Sequence, residues 1–459
     1  MAASVPIGKT IYCGTFAHCR SLSELDICAK GAIGVDEAGV IAFIEREVEE
    51  IEDVIKKYDG WNDAEVLQSG ESGFFFPGFI DTHTHASQHP NTGLFGKTTL
   101  LSWLETYTFP MESSLSSLSK AATVYSNFVS RTLSHGTTTC AYYATIHVPT
   151  TNLLADICLK RGQRALVGRV CMNMMSPEYY RDASVSDAVK DSKASIDYIR
   201  SIDPSGDIVK PIITPRFAPS CTAECLAGLG QLAKETGTSI QTHISENKPE
   251  VQLVRELFPE SKSYTDVYDT AGLLTPKTIL AHAVHLSAEE VQTLKQSGTK
   301  ISHCPASNTA LTSGCAPVRQ LLDVGLTVGL GTDVSGGFSP SILEECRQAI
   351  WVSRFVAMNT ADDAKLSTEE VLYLATRGGA QVVGLDGKVG GFDVGMEWDA
   401  QHICLGAVKE GGEQEGRFAG NVDLFGFETA EDRVNKWVYS GDDRNTKSVW
   451  VRGRLVHRR

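Results

Sequence analysis

The sequence lacks the features of a membrane-spanning or secreted chain. Its 459 residues contain no unbroken apolar run of the roughly eighteen residues that a transmembrane helix needs. The N-terminal segment MAASVPIGKT lacks the basic and apolar regions of a secretory signal, and the C-terminal VHRR carries no anchor or retention motif. We therefore expect a cytoplasmic protein that does not enter a membrane.

The sequence also lacks any CxxC spacing among its twelve cysteines. The two closest, Cys221 and Cys225, lie in the segment SCTAEC, which predicts the start of a helix. Disulfide frameworks are typical of small secreted domains, and this chain fits neither condition. We expect reduced, mostly buried thiols, none of which binds a metal.

An excess of positive charge is missing as well. Asp and Glu number 56 against 42 Lys and Arg, which gives a net charge of −14 and a pI of about 5.4. A surface of this sign repels phosphate backbones and anionic lipids. We therefore expect neither a nucleic acid nor a membrane as a partner. At this length, one large domain with a smaller one is the natural organisation.

What the sequence does contain is a short segment rich in metal-binding side chains. Residues 74–85 have the sequence FFFPGFIDTHTH, in which an apolar run and a Pro-Gly break precede Asp81, His83 and His85. Alternate residues of an extended strand point to the same side, so two imidazoles can face one ion. Two histidines on one strand can also pack or face solvent, so other residues have to decide between these interpretations.

After this segment, β-branched runs alternate with amphipathic helical patterns such as 119–136 and 287–298, each ending near a glycine that can cap a helix. Seven further strands are predicted at 136–144, 164–172, 209–217, 238–245, 277–284, 299–305 and 326–333. Eight βα units predict an α/β fold, a (β/α)8 TIM barrel. A doubly wound open sheet is the alternative.

The polar residues favour the barrel. Nearly every predicted strand ends in a reactive side chain, namely His83 and His85, Arg216, His243, His282, His303 and Asp333. An open sheet forms its site from a few strands at one switch point, whereas a closed barrel brings all eight carboxyl ends to one rim. We therefore expect these residues to meet in one site.

The two ends of the chain have a different pattern. Residues 1–75 and 389–459 contain alternating stretches typical of antiparallel strands with polar turns. Neither end is large enough for its own core, so we expect both to form one small β-sandwich domain. The catalytic barrel then spans residues 76–388. The Gly- and Glu-rich stretch 408–421 predicts an exposed loop.

Eight motifs carry a resemblance to a known family. They are PGFIDTHTHASQ, GTTT, TPRF, QTHISEN, LAH, HCPASN, GLGTDVSGG and YSGDDRN. The histidine pair after strand one, the histidines after strands five and six and the aspartate after strand eight identify the chain as a member of the amidohydrolase superfamily. The SQ, RF and HISEN segments are similar to those of members that deaminate guanine.

The resemblance implies that His83, His85, His243 and Asp333 hold a single Zn²⁺. Zinc suits a hydrolytic deaminase because it lowers the pKa of a bound water to about 7 when one coordination position stays open. Imidazole and carboxylate ligands also suit Fe²⁺ or Mn²⁺. The implied position of the metal is therefore better defined than its identity.

The resemblance gives Glu246, three residues after His243, the role of proton carrier from the water to the ring. His282 is expected to orient the hydroxide or support the tetrahedral intermediate, and Asp333 to combine ligation with proton transfer. The implied reaction is attack on C2 of guanine with protonation at N3, loss of ammonia and formation of xanthine.

Substrate contacts are implied for Gln88, Arg216, Phe217, His243 and Glu246. The Gln88 amide and the Arg216 guanidinium supply hydrogen bonds to the base, and Phe217 supplies an apolar wall. Two of these assignments have a simpler alternative, because Arg216 can form a structural ion pair at the rim and Gln88 can be a loop residue. The resemblance also implies a homodimer.

Other functions stay open at this point. A related amidohydrolase can deaminate cytosine, an oxidised guanine or an adenosine derivative, and a catalytically dead barrel can serve as a scaffold, although this chain has lost none of the expected ligands. The PCxxC pattern of cytidine and nucleic-acid deaminases is absent, which favours a free base as substrate. His303 either contacts the substrate or is a hydrogen-bonded structural histidine.

Overall fold

The computed structural model describes residues 8–408 and 420–459, and two large sheets dominate them. One sheet is a barrel and the other is built from both ends of the chain. The predicted exposed loop at 408–421 lies almost wholly outside the described residues. No helix in the two described ranges is long and apolar enough to cross a bilayer.

The barrel consists of eight parallel strands in sequence order, with helices between them. We number them one to eight: Phe79–His85, Thr137–Tyr143, Arg164–Gly168, Val209–Pro215, Ser239–Ile244, Thr278–His282, Lys300–His303 and Val328–Leu330. The predicted strands are confirmed, with ends that lie up to four residues inside the predicted limits. A two-residue strand, Val170–Cys171, also pairs with strand four.

The first and eighth strands come together and close the barrel. The Asp333 amide donates to the His83 carbonyl at 2.9 Å, and the His85 amide donates to the Val334 carbonyl at 3.1 Å. This closure excludes the open doubly wound sheet and confirms the TIM barrel. It also brings the carboxyl ends of all eight strands to one rim.

The helices follow from local signals that the sequence contains. In Ala288–Ser297, the Ser287 and Glu290 side chains form a capping box at the start, and Gly298 adopts a left-handed conformation (φ 69°) at the end. The other α-helices are Ile51–Lys57, Leu100–Trp103, Phe109–Ser114, Leu118–Ser134, Val148–Arg161, Val185–Ile202, Ala223–Thr236, Lys248–Leu257, Tyr264–Thr270, Pro305–Ala310, Val318–Val324, Ile342–Asn359, Thr368–Tyr373, Gly379–Val382 and Ala430–Ser440.

The second sheet contains eight strands from both ends of the chain, as predicted. They are Thr10–Ser21, Glu24–Val35, Ile41–Arg46, Glu65–Gln68, Gly73–Pro77, Ala400–Cys404, Thr446–Val451 and Arg454–Arg458. Most pairings are antiparallel, but the first strand pairs in parallel with the fourth and fifth. The chain reaches these positions through the helix Ile51–Lys57, which supplies the crossover that parallel pairing needs.

The apolar run Phe74–Phe76 belongs to this terminal sheet, and the first barrel strand begins after it. Gly73–Pro77 pairs with Ala400–Cys404, and the barrel strand begins at Phe79. Gly78 separates the two because a side chain there would collide with Thr138. The division of the chain at residues 76 and 389 stays a proposal.

All twelve cysteines lie in the described ranges, and all are free thiols. Ten are buried, Cys404 is half-buried and Cys315 is exposed. The helix predicted near Cys221 begins at Ala223, where the Thr222 hydroxyl caps the first turn. The expectation of reduced, mostly buried thiols agrees with this structure.

Candidate active site

The candidate site lies at the carboxyl end of the barrel, where four predicted metal ligands converge. The Asp333 Oδ1 lies 3.1 Å from Nε2 of His83 and 3.2 Å from Nε2 of His85. Nε2 of His243 lies 3.3 Å from Nε2 of His85. Ligand atoms at the corners of a tetrahedral zinc site are separated by roughly the same distance, about 3.4 Å, when each bond is about 2.1 Å.

The hydrogen bonds around His243 direct a lone pair toward this cluster. Its Nδ1 donates to the Arg216 carbonyl at 2.5 Å, so Nε2 carries the lone pair that faces His85. The lone pairs of two nitrogen atoms this close repel each other unless a cation lies between them, and the adjacent carboxylate also favours a cation. The donor set therefore fits a bound divalent metal.

The charge states of the ligands suit a metal as well. Burial lowers the pKa of His83 to about 4 and the pKa of His243 well below its ordinary value, so both imidazoles are neutral. Burial alone would raise the pKa of Asp333, but the adjacent His83 and His85 hold it well below its ordinary value. The cluster thus combines the neutral imidazoles of His83 and His243 with one carboxylate.

His282 lies beside the cluster and is a further candidate ligand. Its nearest nitrogen is within 4.8 Å of ligand atoms of His83, His243 and Asp333. However, Nε2 of His282 lies 3.8 Å from the second Asp333 oxygen, Oδ2, and 3.5 Å from Glu246 Oε2. The His85 nitrogen lies closer to Oδ1, so this geometry favours His85 as the ligand and leaves His282 free to face Glu246.

Glu246 is buried next to the cluster and is held by Ser313, whose hydroxyl donates to Oε1 at 2.9 Å. Burial raises the pKa of Glu246 to about 7. For His282, burial alone would lower the pKa, but the nearby Glu246 and Asp333 carboxylates raise it. Together, Glu246 and His282 form a pair that can hold and release a proton near neutral pH.

Three residues at the strand ends adopt a left-handed backbone although they are not glycine. They are Ser245 (φ 47°), His282 (φ 76°) and Asp333 (φ 45°). Such conformations cost roughly 1–3 kcal/mol each and are concentrated at functional sites. Here they turn the chain sharply after strands five, six and eight.

A cavity opens onto the cluster and brings the predicted substrate residues together. Its lining includes Gln88, Arg216 and Phe217 beside the candidate ligands His85, His243 and Asp333, together with Glu246 and His282. Four apolar residues that the sequence did not indicate complete the wall: Leu100, Trp103, Leu104 and Leu311. A flat, mostly apolar ring with polar edges fits this lining.

Glu112 is the main site residue that sequence reasoning missed. Its carboxylate is completely buried and accepts hydrogen bonds from Arg216 (2.7 Å), Gln88 (2.8 Å) and Tyr180 (2.8 Å). Arg216 therefore forms the ion pair foreseen as the simpler alternative, yet it also lines the cavity. No strand-end position or motif marks Glu112 in the sequence.

His303 agrees with the structural alternative in its position but not in its hydrogen bonding. It is buried at the end of strand seven, and it is not among the residues that line the cavity. Within the described ranges, neither of its ring nitrogens has a hydrogen-bond partner. Burial lowers its pKa to about 3, so this histidine packs as a neutral ring.

The chain is similar to known proteins over almost its whole length. The Amidohydrolase family model matches residues 74–456. A probable guanine deaminase of Schizosaccharomyces pombe is 47% identical over 449 residues, which are 97% of this chain and 83% of that protein. Guanine deaminase of Homo sapiens is 40% identical over 457 residues, which are 99% of this chain and 98% of that protein.

A solved structure supports the same likeness. Guanine deaminase from C. acetobutylicum, with guanine bound in its active site, matches this fold with a TM-score of 0.87 and 32% sequence identity. The match covers 98% of this chain and 100% of that chain. The terminal sheet and the barrel therefore occur together in this relative.

Proposed function

The chain belongs to the amidohydrolase family, and we propose that it is a guanine deaminase, which hydrolyses guanine to xanthine and ammonia. One observation carries the proposal: a single cavity joins the His-Asp cluster, the Glu246–His282 pair and the Arg216–Gln88 pair. The identity of 40% to the human guanine deaminase over nearly the whole chain supports it.

We assign the metal to His83, His85, His243 and Asp333, and we propose one Zn²⁺ per subunit. When bound, zinc lowers the pKa of a water molecule to about 7 and so supplies hydroxide at neutral pH. The short distances between these ligand atoms and the neutral state of the His83 and His243 imidazoles favour this assignment. Fe²⁺ and Mn²⁺ accept the same ligand types, and metal analysis of the purified protein distinguishes the three.

Glu246 carries the proton in this proposal. Its carboxylate takes a proton from the attacking water and delivers it to N3 of guanine while oxygen adds at C2. His282 lies beside Glu246 and holds the attacking oxygen in line, and Asp333 assists the second proton transfer. The amino group at C2 then leaves as ammonia, and xanthine remains.

Recognition of the base uses three further side chains that line the cavity, those of Gln88, Arg216 and Phe217. Arg216 and the Gln88 amide donate to the carbonyl oxygen of guanine, while the Phe217 ring packs beside it. Phe217 already lies against His243, with ring centroids 6.4 Å apart. Adenine presents an amino donor where guanine has the carbonyl, so it leaves these buried donors unpaired and is rejected.

The decisive experiment follows ammonia release by purified protein with guanine, cytosine, adenine and S-adenosylhomocysteine in parallel. The proposal predicts ammonia from guanine alone or far ahead of the others. Consumption of another substrate with guanine untouched would replace it with a different deaminase activity. If metal-loaded protein releases ammonia from none of the four compounds, the result would favour a catalytically inactive barrel that serves as a scaffold.

We further propose a cytoplasmic homodimer. The helix Ile342–Asn359 exposes an apolar stripe of Trp351, Phe355 and Met358, of which 47%, 46% and 76% is accessible. Such a stripe fits a contact between two copies, and the buried free thiols fit a reducing compartment. Sedimentation of the wild type and of Phe355→Glu tests the dimer, and cell fractionation tests the location.

A further inference from the structure

The Glu112 carboxylate lies behind the two side chains that would select the base. It comes from the helix Phe109–Ser114, between the first and second barrel strands, and solvent does not reach it. Within residues 8–408 and 420–459, its carboxylate accepts four hydrogen bonds: from Arg216 Nη1 and Nη2 (2.7 and 3.3 Å), Gln88 Nε2 (2.8 Å) and the Tyr180 hydroxyl (2.8 Å). A carboxylate is the side chain that accepts only, so it suits this position.

Glu112 fixes the orientation of the Gln88 side-chain amide. The Gln88 Nε2 donates to Glu112, while its Oε1 accepts from the Ser335 backbone amide at 3.3 Å. The two partners impose the same orientation, because a flipped amide would place oxygen against the carboxylate and nitrogen against the backbone N–H. Gln88 is therefore left with one free N–H to offer within the cavity it lines.

The same carboxylate holds the Arg216 guanidinium in place. An unpaired buried guanidinium is strongly unfavourable, and Glu112 offsets its charge with two hydrogen bonds. Phe109, on the same helix as Glu112, lies 5.4 Å from the guanidinium carbon. The remaining N–H groups of Arg216 are left for a ligand with an acceptor at this edge.

We propose that Glu112 is a positioning residue that sets Gln88 and Arg216 as donors and so selects a purine with an oxo group at C6. This inference rests on the proposed function, since it concerns recognition of guanine. Glu112 does not contact the reacting atoms; it acts through the two side chains that bind the base.

Glu112→Gln is the most informative change because it keeps the size of the side chain and adds an N–H2 group. The new N–H2 group faces the N–H donors of Gln88 and Arg216. The Gln88 amide can accept from it only if it flips to turn Oε1 toward residue 112, and the flipped amide no longer accepts from the Ser335 backbone N–H. We expect KM for guanine to rise about 100-fold with kcat changed less than about threefold. The ratio of kcat/KM for guanine to that for 2-aminopurine, which lacks the C6 oxygen, should fall at least tenfold.

Two further variants separate positioning from general stability. Glu290→Gln removes another buried carboxylate, one that caps a helix away from the cavity, and should lower the melting temperature without changing the guanine to 2-aminopurine ratio. Glu112→Asp keeps the charge, but its shorter side chain places the carboxylate one methylene farther from Gln88 and Arg216. Its guanine to 2-aminopurine ratio should therefore lie between those of the wild type and Glu112→Gln. Glu112→Asp decides the matter if the Gln variant does not fold.

The outcomes distinguish this inference from the proposed function. If the wild type releases ammonia from guanine while the folded, metal-loaded Glu112 variants keep the wild-type ratio, Glu112 has no positioning role and the deaminase activity stands. If the wild type does not deaminate guanine, the proposed function itself is wrong. A loss of kcat alone, with an unchanged ratio, would also contradict the inference.

Discussion

The Asp81 carboxylate joins the first barrel strand to the end of the eighth through Thr332. Asp81 Oδ2 accepts the Thr332 hydroxyl at 2.6 Å, and Oδ1 accepts the Thr332 amide at 3.0 Å. The same Oδ1 accepts the His83 amide at 3.2 Å. Asp81 thus fixes the relative position of two candidate ligands, His83 and Asp333, although it does not belong to the cluster itself.

Asp81→Ala should therefore weaken both the fold and the metal site. The change removes the acceptor of two buried backbone N–H groups, those of His83 and Thr332, and an unpaired buried donor costs about 1–3 kcal/mol. Displacement of His83 should lower metal affinity about 10–100-fold. Urea denaturation and a competitive chelator titration measure the two effects, and unchanged metal affinity would contradict the role assigned to Asp81.

Glu246→Gln should retain the metal and lose most turnover. Gln has the same size and still accepts from Ser313, but it cannot take a proton from water. Loss of a general base of this kind lowers kcat by about 100-fold or more. Metal content and kcat are measured on the same preparation, and a rate close to that of the wild type would remove Glu246 from the mechanism.

The same variant has an effect on stability that depends on pH in the metal-free protein. Burial raises the pKa of Glu246 from 4.5 to about 7, so between these values the folded chain holds a proton that the unfolded chain has released. The stability from this group is present below pH 4.5 and is lost as pH rises through 7. At pH 8, the free energy of unfolding of metal-free Glu246→Gln should exceed that of the metal-free wild type by about 3 kcal/mol. At pH 4.5 the two free energies should be similar.

Denaturant unfolding of both metal-free proteins at several pH values between 4.5 and 8 tests this prediction. The measured quantity is the difference in the free energy of unfolding between variant and wild type. A difference that does not change with pH would show that Glu246 has an ordinary pKa.

Asn308 should control the tautomer of His282. Nδ1 of His282 donates to Asn308 Oδ1 at 2.9 Å, which leaves the lone pair on Nε2, the nitrogen that faces Glu246. Asn308→Ala removes this restraint and should lower kcat about 10–100-fold with little change in KM. Asn308→Asp keeps an acceptor and should recover part of the rate; equal loss in both variants would contradict the tautomer argument.

The sequence predicted the barrel and the cluster because both depend on local patterns. Strand ends carry the reactive residues, and closure of eight parallel strands then brings His243 and Asp333 to His83 and His85 without further information. Gly298 and the Ser287–Glu290 capping box likewise mark a helix directly.

What the sequence could not predict depends on contacts between distant segments. Glu112 lies on a short helix with no distinguishing pattern, and its role comes from meeting Arg216, 104 positions later in the chain. The sheet that the run Phe74–Phe76 joins depends on a distant contact too, since Gly73–Pro77 pairs with Ala400–Cys404. The left-handed backbone at His282 could not be predicted either, because the residue there is not a glycine.

The most direct test is the conversion of guanine by protein reconstituted with one equivalent of zinc per chain, followed by the loss of guanine absorbance and by released ammonia. We expect one xanthine and one ammonia for each guanine, at a rate that rises in proportion to bound zinc up to one equivalent. Fully loaded protein that leaves guanine unchanged, or activity independent of bound metal, would contradict it.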